Sequence, residues 1–348
     1  MINKDQFYTF MKAIPKAEIH LHSEGVISKD TVFKLLQKAH PENTCDLTCV
    51  DGYFNFSNLS EFVEMFLAIQ KAFINPSDFD ILFEDMRNYL IDNGIVYSEV
   101  FISPTSFIRN GLDFEKIIER VIKSIRKIKK NDHITIKLII DMSRTFGAEN
   151  AMNNLNIALE LKSRYSEIIG VGLGGDEAKG PASKFVSVFE KARSEGLKVV
   201  AHAGESIGPE SVWDTISLLK VDRIGHGISS VFDKNLIQTL ITKKIPLEVC
   251  PTSNIFTKHY FSALENHPIR EFFDSGVAIT LNTDDPTFFG IGLIDEYYNL
   301  YTKLHFSMDE IKQIVLNSFK YSFLPAKQKE IMMKSVEDAW SAHSGLLQ

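Results

Sequence analysis

Cysteine is scarce in this chain: Cys45, Cys49 and Cys250 are the only three among 348 residues. An odd number in so long a chain excludes a disulfide framework and leads one to expect a reducing compartment. A core drawn from 44% hydrophobic residues needs no such staples. Cys45 and Cys49 would supply half of a structural zinc site, and no second pair exists to complete it. Positive charge is short as well. Lys and Arg number 38 against 45 Asp and Glu, a net charge of −7, which argues against a nucleic-acid backbone as partner. The one basic stretch, Lys123 to Lys130, alternates with Ile122, Ile125 and Ile128 and reads as the solvated face of an amphipathic helix. No apolar run approaches the roughly 18 residues that span a bilayer, and Met1-Ile2-Asn3-Lys4-Asp5 has no apolar signal core. A soluble, cytoplasmic protein is expected. No Pro-, Gly- or Ser-rich linker divides the chain, so residues 1–348 are read as one domain. Nothing in the sequence sets an oligomeric state.

What is present is a repeated pattern. Short apolar or β-branched runs at Lys16–His22, Ile95–Ile102, Thr135–Met142, Ile169–Gly174, Lys198–Ala203, Arg223–His226, Leu247–Pro251 and Val277–Thr283 read as eight strands. Between them lie segments of helical period: Asp30–Lys38, Ser60–Phe73, Phe79–Asn93, Phe114–Lys130, Asn150–Ser163, Ser183–Glu195, Ser211–Leu219, Lys234–Lys243 and Pro268–Ser275. Parallel strands need long crossovers, so the alternation implies an α/β fold with a parallel sheet. Eight units point to a closed (β/α)8 TIM barrel. The extra helices between strands 1 and 2 are expected to form a lid.

In such a barrel the reactive residues sit at the C-terminal ends of strands. His20 and His22 close the first candidate strand, His202 and Glu205 the fifth, His226 the sixth, Asp284 and Asp285 the eighth. His20 and His22 are two apart, so on a strand both imidazoles share one face. With His202 and Asp284 they make a three-nitrogen, one-oxygen set that suits zinc and leaves one position for water. A binuclear site is disfavoured because the fourth strand end, Gly172 to Glu177, has no lysine to bridge two ions. The Pro-Cys-x-x-Cys ligand pair of cytidine-type deaminases is absent. Asp284 and Asp285 also suit a plainer reading, as the N-cap of a helix near Pro286.

Six motifs then occur in order across residues 15 to 286: Pro15-Lys16-Ala17-Glu18-Ile19-His20-Leu21-His22, Gly174-Gly175-Asp176-Glu177, His202-Ala203-Gly204-Glu205, Gly225-His226-Gly227, Glu248-Val249-Cys250-Pro251 and Asn282-Thr283-Asp284-Asp285-Pro286. Together they resemble the successive signatures of the adenosine deaminase family. The resemblance implies a (β/α)8 barrel, one zinc ion per chain and hydrolytic deamination of a 6-aminopurine. It makes His20, His22, His202 and Asp284 the zinc ligands. It makes Glu205 the proton donor to purine N1, and His226 the residue that orients and deprotonates the attacking water. Asp285 would bond to N7, and the backbone N–H of Gly175 to N3.

The sequence departs from the family at one place. Adenosine-specific members read His-x-His-Leu-Asp-Gly, where this chain reads His20-Leu21-His22-Ser23-Glu24-Gly25. The family aspartate contacts the ribose 5′-hydroxyl, and Glu24 is one methylene longer. Three substrates follow from the resemblance. The leading expectation is an adenine nucleoside, adenosine or a 5′-modified one. Gly208-Pro209-Glu210-Ser211-Val212-Trp213-Asp214, Arg223 to Ser229 and Leu247 to Asn254 resemble members that deaminate aminodeoxyfutalosine, which carries an aromatic carboxylate at its 5′ end. Tyr53, Phe54 and Phe56, with Phe62 and Phe66, would then line the pocket for that group or else serve as core and lid packing. The alternative is free adenine, because Glu at position 24 resembles the adenine deaminase branch. A barrel that binds a nucleoside without turnover is the third reading. Such proteins usually lose a ligand or the acid, and none is missing here.

Overall fold

The structure is a computed structural model that describes residues 2–42, 46–57, 59–257 and 259–347. Cys45 lies outside the described residues, and with it the Cys45–Cys49 pair. Eight strands stand side by side in chain order, every pair parallel. They are β1 (Lys16–His22), β2 (Ile95–Ile102), β3 (Thr135–Asp141), β4 (Ile168–Gly172), β5 (Lys198–Ala203), β6 (Arg223–His226), β7 (Leu247–Val249) and β8 (Ile279–Leu281). Helices surround them, which makes the chain a (β/α)8 barrel. The basic stretch lies in helix Phe114–Asp132, whose Ile117, Val121, Ile122, Ile125 and Ile128 are buried.

β1, β2, β5 and β6 keep the bounds read from sequence, and the other four are shifted or shortened. The reason is the same at β7 and β8. Their flanking residues continue the apolar pattern, but the chain leaves the ladder to build the mouth of the barrel. Pro251 has no N–H to pair and opens a helix, Pro251–Thr257. After β8 the chain turns at Asp284, whose φ is 68°. The sequence pattern also stops short of the C-terminal helices. Met308–Lys320 packs on β8 and β1 and completes the outer ring, with Asn317 Nδ2 donating to the Ile279 carbonyl at 3.1 Å.

β1 and β8 close the barrel with little regular ladder. A single bridge joins Leu21 to Asp284, and His22 N–H donates to the Asp284 carbonyl at 3.0 Å. Side chains do the rest. Asn282 Oδ1 accepts from the N–H groups of Ile19 and His20 at 3.0 and 3.1 Å, and Glu18 Oε1 accepts from Thr283 N–H at 2.9 Å. The seam is therefore where the candidate ligands of β1 and β8 meet.

The barrel interior holds charge. Arg223, 1% exposed, bonds to both Glu99 and Glu248, at 2.6 Å to Glu99 Oε2. It also donates to the Tyr321 carbonyl at 3.0 Å and lies 3.7 Å from the centre of the Phe323 ring. Buried charges persist when paired and hydrogen-bonded on all sides, as these are.

Glu296, in helix Leu293–Thr302, is wholly buried and accepts from Thr252 N–H at 2.8 Å. Burial raises its pKa from 4.5 to about 8. The folded state thus holds a proton that the unfolded state releases above pH 4.5, and the associated stability is lost as pH rises towards 8. Glu296→Gln removes that dependence. Relative to wild type, the variant should gain about 1–3 kcal/mol between pH 5 and pH 9 in urea titrations. A difference that stays flat with pH would show that burial does not hold the proton.

Candidate active site

His20 and His22 turn to one point, as alternate residues of a strand do. Asp284 Oδ1 lies 3.4 Å from His20 Nε2 and 3.2 Å from His22 Nε2. From β5, His202 Nε2 comes within 3.3 Å of His22 Nε2. One ligand atom from each of the four residues lies within 4.8 Å of the other three. Among the described residues, His20 Nε2 and Asp284 Oδ1 are buried with no hydrogen-bond partner. Nitrogen and oxygen donors converging with bare lone pairs fit a metal ion, and this donor set fits zinc.

Neighbours aim these atoms. Glu248 Oε2 accepts from His20 Nδ1–H at 2.6 Å, so the lone pair is left on Nε2. Ser253 Oγ–H donates to Asp284 Oδ2 at 2.7 Å and leaves Oδ1 for an ion. A Cβ at Gly225 would stand 2.7 Å from His20 Cε1, so only glycine lets β6 approach the ring. Asp284 and His226, with φ of 68° and 60°, both hold the left-handed conformation that side chains rarely adopt. Strain of this kind gathers at functional sites.

Electrostatics points the same way. Burial pushes the pKa values of His20 and His22 down, yet they end at about 9 and 10. Asp284 and Glu248 outweigh burial at His20, and Asp285, Asp284 and Asp141 do so at His22. The surroundings hold positive charge at this point, and a metal cation can take the place of the protons.

Two further carboxyls face the cluster. Burial, then the charges of Asp284 and Glu177, raise Glu205 to about 8. Its Oε2 lies 3.6 Å from His226 Nε2. Asp285 is raised by burial and by Asp284 beside it. Its side chain makes no capping bond to helix Pro286–Phe289, so the N-cap reading fails for Asp285.

The adenosine deaminase family model matches residues 15–339. The chain belongs to the adenosine deaminase family. It is 35% identical over 329 residues to an adenine deaminase of Acinetobacter baylyi, covering 94% of this chain and 97% of that one. It is 34% identical to an aminodeoxyfutalosine deaminase of Streptomyces avermitilis, covering 96% and 94%. The crystal structure of an adenine deaminase from Arthrobacter aurescens superposes with a TM-score of 0.88 at 27% identity, covering 94% and 99%.

Where this chain departs from the family pattern, Glu24 is 2% exposed. It accepts from Ser23 Oγ–H at 2.5 Å and from Gln70 Nε2–H at 2.6 Å. Gln70 comes from helix Leu59–Lys71, one of the extra helices between β1 and β2. The turn Glu24–Val26 packs hard on the β8 end, because a Cβ at Gly25 would stand 2.6 Å from Asp285 Cα. Gly175 sits on the loop after β4, against Thr145. Phe54, Phe56, Phe62 and Phe66 all pack on Phe288, three residues beyond Asp285, with ring centres 5.0–6.5 Å away. Phe56 also meets Phe256 of helix Pro251–Thr257, with ring centres 6.1 Å apart, so these rings join the extra helices to the mouth of the barrel.

Several residues in the quoted motifs have roles that spacing did not reveal. Glu177 accepts from the N–H groups of Gly204, Glu205, Ser206 and Ile207 at 2.7–3.1 Å, and so holds the loop that carries Glu205. Glu248 and Ser253 orient His20 and Asp284. Asn254 reaches His226 Nδ1 at 3.1 Å. The motif residues themselves were the only signal.

Proposed function

We propose that this chain is a zinc-dependent hydrolase that removes the 6-amino group of an adenine ring. The observation that carries the reading is the convergence of His20, His22, His202 and Asp284 with Glu205, His226 and Asp285 around them. The net reaction is 6-aminopurine plus water to 6-oxopurine plus ammonia: a C6–O bond forms and the C6–N bond breaks. Zinc held by the four ligands would lower the pKa of a water from ~15.7 to about 7. Glu205, kept protonated by its surroundings, gives its proton to N1 as the ring loses aromaticity. Asp285, also held protonated, donates to N7, which only accepts. Gly175 N–H serves N3.

On the sugar side, the motifs ranked an adenine nucleoside first. The surroundings of Glu24 favour free adenine. Its buried carboxyl is pinned by two donors, and its charge reaches Asp285, the N7 partner. A free base offers an N9–H to such an acceptor, whereas in a nucleoside N9 carries carbon. Ser23 and Gln70 satisfy one lone pair on each oxygen, and the N9–H of a free base is a further donor that a nucleoside cannot supply. The name of the Acinetobacter relative agrees with this reading.

Ammonia release should be followed from adenine, adenosine, 5′-methylthioadenosine and aminodeoxyfutalosine, with metal content measured in parallel. One zinc per chain is expected, with kcat/KM for adenine higher by about 100-fold or more. The reverse order would restore the nucleoside. Bound zinc with no turnover of any purine would leave only a binding protein.

A further inference from the structure

We infer that a buried relay, Ile269 to His267 to Asn254 to His226, makes the site-facing nitrogen of His226 a hydrogen-bond donor and not the base that takes a proton from water. The inference rests on the deaminase reading for its consequence, though the tautomer itself does not depend on any substrate.

The relay is anchored by a group whose direction is unambiguous. The backbone N–H of Ile269 meets His267 Nδ1 at 3.2 Å, and a backbone amide only donates. Nδ1 of His267 must therefore be bare, and its neutral ring carries its proton on Nε2. Burial keeps that ring neutral, with its pKa pushed down to about 3. His267 Nε2–H then donates to Asn254 Oδ1 at 3.2 Å. This settles the orientation of the amide. Turned over, it would present its NH2 group to His267, which would then need two bare nitrogens and no proton at all.

Asn254 Nδ2 consequently faces His226 Nδ1, 3.1 Å away, and donates to it. Nδ1 is therefore the bare nitrogen, and the proton of the ring stands on Nε2. That nitrogen looks to the active site, 3.6 Å from Glu205 Oε2. All three side chains of the relay are 3% exposed or less, so water does not compete for these bonds. His226 can hold the oxygen of an attacking water by donating to it. Once Glu205 has given its proton to N1, its carboxylate, beside His226, is the group left to take the proton that water loses. Asn254 and His267 are positioning residues that act only through His226.

Asn254→Asp tests the relay. A carboxylate of the same shape still accepts from His267, but it accepts from His226 Nδ1 as well and so draws the proton off Nε2. A misplaced imidazole proton costs a hydrolase about 10⁴-fold elsewhere. Here kcat should fall by about 10³–10⁴-fold, with KM and zinc content held. His267→Gln keeps both an acceptor for Ile269 and a donor for Asn254, and should stay within about 10-fold of wild type. His267→Leu should not. Nitrogen-15 NMR of histidine-labelled enzyme, zinc-free and zinc-loaded, reads the tautomer directly, with His226→Asn assigning the signal. The expected wild-type spectrum shows a protonated Nε2 on His226. An unprotonated Nε2 in the wild type would overturn the inference whatever the variants do, and so would an Asn254→Asp enzyme as fast as wild type.

Discussion

Replacing Glu205 by Gln should cut ammonia release by about 10³-fold or more while the zinc content stays at the wild-type value. The reason is the separation between the group that gives a proton and the groups that hold the metal. Glu205 is not one of the four converging ligands. Its loop is held through backbone N–H groups by Glu177, a bond the substitution does not touch. Gln has the same shape and still offers N–H donors, so the ring should bind nearly as before. It cannot release a proton, however, and the ring nitrogen must receive one when water adds at C6. A positioned general acid contributes about 10²–10⁴-fold. Glu205 is suited to the role because burial, Asp284 and Glu177 keep it protonated near neutral pH. The check is ammonia release at saturating substrate, with metal analysis of the same samples. Turnover near wild type would remove Glu205 from the chemistry. Loss of zinc together with activity would show that it supports the metal instead.

Arg223→Met should have the largest effect on the fold. The guanidinium is the counter-charge of Glu99 and Glu248 in the barrel interior, and both carboxyls are fully buried. Removing one partner of a buried charge network costs about 3–5 kcal/mol, because the remaining charges have no water to turn to. Glu248 would then have to take up a proton or stand unpaired. Either outcome weakens its hold on His20 Nδ1, and partners of this kind are worth about 10–100-fold in metal affinity. Urea titration of the zinc-free protein should show the first effect, and competition with a chelator the second. Neutralising all three residues, as Glu99→Gln, Arg223→Met and Glu248→Gln together, should recover much of the stability and little of the zinc affinity. An unchanged urea midpoint in Arg223→Met would mean the network contributes nothing to folding.

The convergence of His20, His22, His202 and Asp284 was legible because it follows a local rule. A spacing of two on a strand puts His20 and His22 on one face, and strand ends gather at one mouth of a barrel. The supporting residues were not legible, because each is defined by a partner far along the chain. His20 and Glu248 are 228 residues apart, Arg223 and Glu99 are 124 apart, and Glu177 reaches N–H groups 27 to 30 residues away. The bounds of β7 and β8 were overshot for a related reason. Cys250, Val277 and Thr283 suit a strand by type, yet a ladder ends where its neighbour turns away, and no single segment records that. The helices after Phe289 were missed because the alternation of strand and helix had already ended.

By itself, then, the sequence determined the eight strands, their parallel order and the residues that would stand at their ends, since periodicity and strand direction are properties of short segments. Only the tertiary structure decided what those residues do to one another. It joined β1 to β8 through Asn282 and Glu18, turned Asp284 back towards His20, pinned Glu24 beneath Gln70, and linked His267 to His226. Hydrogen-bond direction, charge and burial at those points come from chain folding, which brings together groups that the sequence keeps between 13 and 265 residues apart.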